Sequence, residues 1–146
     1  RNKVAKALPL FDLLHSLDSL RLAEAVSAEA ARTGATVRAL VEVNSAGEES
    51  KSGFPAGEAI DAIGRILELP GIELLGMMTM APFTDDQAVV RRAFATTREL
   101  CARAARQLSG FRGEELSMGM SNDFEIAVEE GATLVRVGSS IFGERG

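Results

Sequence analysis

The chain has 146 residues, 46% of them apolar and 25% charged, and carries a net charge of −5. That length fits one domain, and 14 glycines with 4 prolines scattered along it exclude a collagen-like or low-complexity chain. The acidic balance leaves no basic footprint for nucleic acid or an anionic membrane, and the lone Cys101 forbids an internal disulfide or a cysteine-rich zinc site. No apolar run reaches the ~20 residues of a membrane span and no basic-then-apolar leader opens the sequence, so a cytoplasmic setting is expected.

Strand and helix patterns alternate. Phe11 to His15 reads as a short strand, and Leu17 to Arg32 as a helix with Leu20, Ala23, Val26, Ala30 and Ala31 on one face. Asp18 or Ser19 suits its N-cap, and Thr33-Gly34 its stop. Thr36 to Val43 is the second strand, followed by a Gly-containing loop and a helix from about Pro55 to Leu69. Ile72 to Met78 is a third strand, with a long helix over Asp85 to Leu108. Glu115 to Met118 is the fourth, followed by a helix opening at Ser121-Asn122-Asp123 and ending at Gly131. Thr133 to Val137 is the last strand, and Gly138-Ser139-Ser140 follows it as a possible helix start.

Regular β-α alternation predicts a parallel sheet covered by helices, either open and doubly wound or closed as a (β/α)₈ barrel. An open sheet places its glycine-rich turn after the first strand, whereas here that turn is Ser16-Leu17-Asp18-Ser19. The Gly- and Ser-rich turns follow the last two strands, a barrel habit, so the pattern fits about strands 4 to 8 of a barrel. A whole barrel needs ~250 residues, which implies that N-terminal strands lie outside this sequence.

The two late turns carry the strongest chemical signal. Ser121 opens one helix and Gly138 with Ser139 another, where successive N–H groups and a hydroxyl suit an oxyanion; each serine is also an ordinary N-cap. Arg136, inside an apolar strand, either pairs with a carboxylate or offers a fixed cation to a ligand's ring nitrogen or carboxylate. Asn44 at a strand end, with Lys51 and Ser52 in the following loop, forms a third cluster at the same end. His15, the sole histidine, reads as a hydrogen-bonded residue of the barrel mouth rather than part of a triad with Ser16 and Asp18. Met77, Met78, Met80, Met118 and Met120 read as irregular core filling and Cys101 as structural, and no histidine pair supports a metal site.

These segments together resemble a known family. His15-Ser16-Leu17-Asp18-Ser19, Val43-Asn44 with Glu48 to Phe54, Gly76 to Met80, Leu116 to Phe124 and Arg136 to Arg145 are similar to strand ends of the pyridoxal phosphate homeostasis proteins. These are the YggS/PROSC type, single barrels related to the N-terminal domain of alanine racemase. The resemblance implies binding of pyridoxal 5′-phosphate (PLP), with Ser121, Gly138 and Ser139 on the phosphate, Arg136 facing the pyridine nitrogen, and Asn44 and Met118 lining the pocket. It also places the family's Schiff-base lysine upstream of Arg1, so Lys3, Lys6 and Lys51 are not that lysine and no lysine-dependent PLP absorbance is expected from residues 1–146 alone. The implied function is carriage and regulation of intracellular PLP without an established turnover reaction, with apo-enzymes as recipients and a monomeric full-length protein. A racemase-like PLP enzyme is the alternative, opposed by the absence of tyrosine from this sequence, and a barrel for another phosphorylated metabolite is a third reading.

Overall fold

A computed structural model describes residues 13–48 and 52–136. The first strand, β1, is Leu14–Leu17, shifted toward the C-terminus of the apolar run Phe11 to His15; Phe11 and Asp12 lie outside the described residues. Its limits follow from pairing with the next strand, where Leu14 meets Ala39 and Leu17 meets Val41. Helix α1 (Leu20–Thr33) begins where the Ser19 hydroxyl accepts from Leu22 N at 3.1 Å, and ends at Gly34 with φ +72°. Ala23, Val26, Ser27 and Ala30 form its buried face, while Ala31, expected on that face, is exposed.

Strand β2 (Val37–Asn44) is followed by a two-residue strand β3 (Phe54–Pro55), a 3₁₀ turn over Ala56–Glu58 and helix α2 (Ala59–Ile66). The single helix expected from Pro55 to Leu69 is thus shorter at both ends. Pro55 is extended and pairs with Asn44, so the α-helix begins only after the 3₁₀ turn. Strand β4 (Ile72–Met78), helix α3 (Gln87–Gln107), strand β5 (Glu115–Met120), helix α4 (Phe124–Glu129) and strand β6 (Leu134–Arg136) complete the described chain.

Among the described residues all strand pairings are parallel, in the order β1-β2-β4-β5-β6, with β3 beside the end of β2. One face packs on the helices through a core that includes Val26, Val41, Ile63, Met77, Phe94 and Met118. The opposite face carries a second apolar cluster of Leu40, Leu75 and Met78, flanked by Leu13, Met80 and Leu134. Two buried faces explain why β2 and β4 read as nearly continuous apolar runs.

The sheet curls strongly. Three strand spacings in a flat sheet would separate β1 from β5 by roughly 14 Å. Yet His15 Nδ1 on β1 lies 3.2 Å from Ser117 Oγ on β5. Gly76 permits part of this closure: a Cβ there would sit 1.8 Å from the Glu115 carbonyl oxygen on β5. The architecture is an arc of a parallel α/β barrel with helices outside, as the turn pattern predicts.

Candidate functional site

The C-terminal strand ends carry a polar cluster above the inner apolar patch. Arg136, the last residue of β6, points inward: its Nη1 donates to Ser117 Oγ at 2.6 Å and its Nη2 to the Thr79 carbonyl at 3.2 Å. Among the described residues no carboxylate lies within salt-bridge distance of Arg136. Burial lowers its pKa from the usual arginine value, against the opposing influence of Glu42 and Asp123. His15, half-buried on the same face, also has a lowered pKa, from burial first and then from the nearby Arg136 charge.

Three members of this cluster escaped sequence reading. Glu42 is buried on β2 and accepts from Ser52 Oγ at 2.8 Å. Ser117 is fully buried, and so is Thr79, which follows β4. The Thr79 hydroxyl donates to the Val43 carbonyl at 2.6 Å and meets Ser45 Oγ at 3.2 Å; Ser45 in turn bonds the Thr97 hydroxyl on α3. The signal for Glu42 was present: a charged residue between Val41 and Val43 in an apolar strand needs a reason to be there.

The expected helix start at Ser121 moves. Ser121 is exposed in a turn, and the residue before α4 is Asp123, whose carboxylate accepts from Met120 N at 2.8 Å. Gly119, at φ +104°, bends the chain into this turn, and a Cβ there would lie 2.7 Å from the Ala127 methyl. Arg136 stands opposite Met120 across the β5–β6 ladder, which brings Ser121 and Arg136 to the same strand end.

Asn44 closes its own loop: its Oδ1 accepts from Gly47 N and Glu48 N at 3.1 and 3.2 Å, and its Nδ2 donates to the Glu48 carbonyl. It lines a concavity of about 470 Å³ with Ser45, Gly53 and Pro55. Met118, expected to line a pocket, instead has its side chain wholly buried in the core shared with the helices, because strand alternation turns Ser117 inward and Met118 outward. Gly138, Ser139 and Lys51 lie outside the described residues. Among the described residues no cluster of metal-ligating groups occurs, and no helix is long and apolar enough to cross a membrane.

The family model described as "Alanine racemase, N-terminal domain" matches residues 1–146. The chain belongs to that family. It is 40% identical over 144 residues to the pyridoxal phosphate homeostasis protein of Aquifex aeolicus, a match covering 99% of this chain and 63% of that protein. The chain therefore spans about three-fifths of the length of such curated relatives, whose shared name is the branch its motifs resemble. Among solved structures, an unknown protein from Bifidobacterium adolescentis superimposes with a TM-score of 0.91 at 46% identity, covering 97% of this chain and 56% of that one. PipY of Synechococcus elongatus with PLP bound gives 0.86 at 33% identity, covering 97% and 66%. Alanine racemases, at 16% identity, share the barrel fold alone.

Proposed function

We propose that this chain forms the ring-nitrogen and phosphate side of a PLP-binding protein that serves PLP homeostasis, holding and delivering cofactor rather than turning over a substrate. The observation that carries this reading is Arg136, a half-buried cation aimed into the curled sheet whose described partners are two neutral oxygens. Such a donor fits an unprotonated pyridine nitrogen. Ser121, exposed one residue beyond the Met120–Arg136 pair, fits a phosphate oxygen, and Gly138 with Ser139 extend that role by their motif. The names of the curated relatives and the PLP bound to PipY support the same ligand.

PLP supplies an electrophilic aldehyde and a ring that withdraws electrons only weakly when an arginine faces its nitrogen, which suits a carrier better than a carbanion-forming enzyme. The chain's own residues bind and orient: Arg136 fixes the ring edge, Ser117 and the Thr79 carbonyl hold Arg136, and Ser121 sets the phosphate end. Asn44 shapes the loop beside the mouth. The recipients are PLP-dependent apo-enzymes, and the acidic single domain works as a cytoplasmic monomer.

Equilibrium dialysis against PLP tests the reading. Arg136→Ala is expected to weaken binding about tenfold or more, the value of a lost charge-assisted bond. Unchanged affinity in that variant, or no PLP binding by the wild-type chain, overturns it.

A further inference from the structure

We propose that His15 is a positioning residue that acts through Ser117 to hold the Arg136 guanidinium, and that it does so only as the neutral imidazole protonated on Nε2. The argument is one of donors and acceptors. An arginine has no acceptor, so in the Arg136–Ser117 contact of 2.6 Å the guanidinium donates and the hydroxyl oxygen accepts. Ser117 is fully buried, and its other described side-chain partner is His15 Nδ1 at 3.2 Å. The hydroxyl proton therefore goes to Nδ1, which must carry a lone pair. A neutral ring with a bare Nδ1 has its proton on Nε2.

The resulting chain, Arg136 to Ser117 to His15, runs from β6 through β5 to β1 and exists only because the sheet curls. Protonating His15 turns Nδ1 into a donor. Ser117 then faces two donors, its own proton loses its described acceptor, and a second cation stands one hydroxyl away from Arg136. The surrounding charges favour the neutral state. Arg136 from β6 opposes an imidazolium directly, while Glu42 from β2 and Asp123 from the β5–α4 turn act on Arg136. On their inner faces β4 presents Leu75 and Met78, and β5 presents the neutral Ser117.

The effect on ligand binding rests on the reading of Arg136 given under Proposed function, but the tautomer does not. Because His15 is the sole histidine, ¹⁵N correlation spectra of the full chain report on it without assignment. The expected spectrum has a bare Nδ1 and a protonated Nε2 at pH 7, with a titration midpoint below the usual 6.5 that rises in Arg136→Gln. An Nδ1–H tautomer, or a midpoint at or above 6.5, overturns the proposal with no ligand present.

PLP dialysis supplies the second arm. His15→Leu is expected to weaken binding about tenfold at pH 7.5. His15→Asn, whose amide oxygen can replace the Nδ1 acceptor, is expected to restore affinity and to remove the extra loss of affinity that wild type shows between pH 7 and 5.5. If Arg136→Ala weakens binding while His15→Leu does not, the positioning role fails and the ligand reading stands. If Arg136→Ala has no effect, the ligand reading fails and the spectrum alone decides the tautomer.

Discussion

Replacing Gly76 with alanine tests the closeness of β4 and β5 that seats Arg136. The new methyl would lie 1.8 Å from the Glu115 carbonyl oxygen, 2.7 Å from its carbon and 2.9 Å from its nitrogen, all backbone atoms. An unstrained carbon–oxygen contact needs about 3.3 Å, so the strands must separate locally by about 1.5 Å. That breaks ladder bonds near the Gly76–Glu115 pair and strains the flanking Glu114 N to Leu75 carbonyl bond of 2.8 Å. Two lost backbone bonds at about 1 kcal/mol each, with about 2 kcal/mol of overpacking, give a destabilisation of about 4 kcal/mol. With a urea slope of about 2 kcal/mol per molar, the unfolding midpoint falls by about 2 M. The chain has neither Trp nor Tyr, so far-UV circular dichroism is the appropriate signal. A variant within about 0.5 kcal/mol of wild type would refute the geometry at Gly76 and the curl argued from it.

Gly64→Ala is the matching control: a Cβ there meets nothing within 4 Å inside α2, and a gain of about 0.5–1 kcal/mol is expected in the same urea experiment. Cys101 is buried and its thiol is pushed up to about 11 by that burial, so a disulfide reagent at pH 8 should react slowly with the folded chain and fast in urea. Glu130 accepts from Arg91 at 2.8 Å and also pairs with Arg98, which holds its carboxyl below the usual 4.5. A carboxyl with a lowered folded-state pKa stabilises above its unfolded value and loses that contribution as the pH falls. The stability difference between wild type and Glu130→Gln should therefore shrink below about pH 4.5, as thermal unfolding across pH 3 to 7 will show.

Periodicity identified the alternating layers because each large strand and helix buries a full face, and burial is what writes a period into sequence. Shorter elements carried less signal. Pro55 looked like a helix start because proline suits a first turn, yet pairing with Asn44 made it the end of a two-residue strand. Ser121 looked like a cap, but Asp123 two residues on takes the Met120 amide, so the helix begins later. In the candidate site, Arg136 was conspicuous as a charge among valines, whereas Ser117 was not: a serine in a strand means little until the sheet curls enough to bring His15 to it. Met118 shows the converse, a motif residue whose side chain obeys strand alternation and joins the core.

Thr79 belongs to both layers at once. Its carbonyl faces inward to Arg136, while its hydroxyl is tied through Ser45 to Thr97 in the middle of the longest helix. The seat of the guanidinium is therefore anchored to the outer shell by a run of hydroxyls rather than by strand pairing alone. Loosening α3 should be felt at Arg136 even though no residue of that helix touches it in the described contacts, and a ligand that draws on Arg136 should slow amide exchange around Thr97.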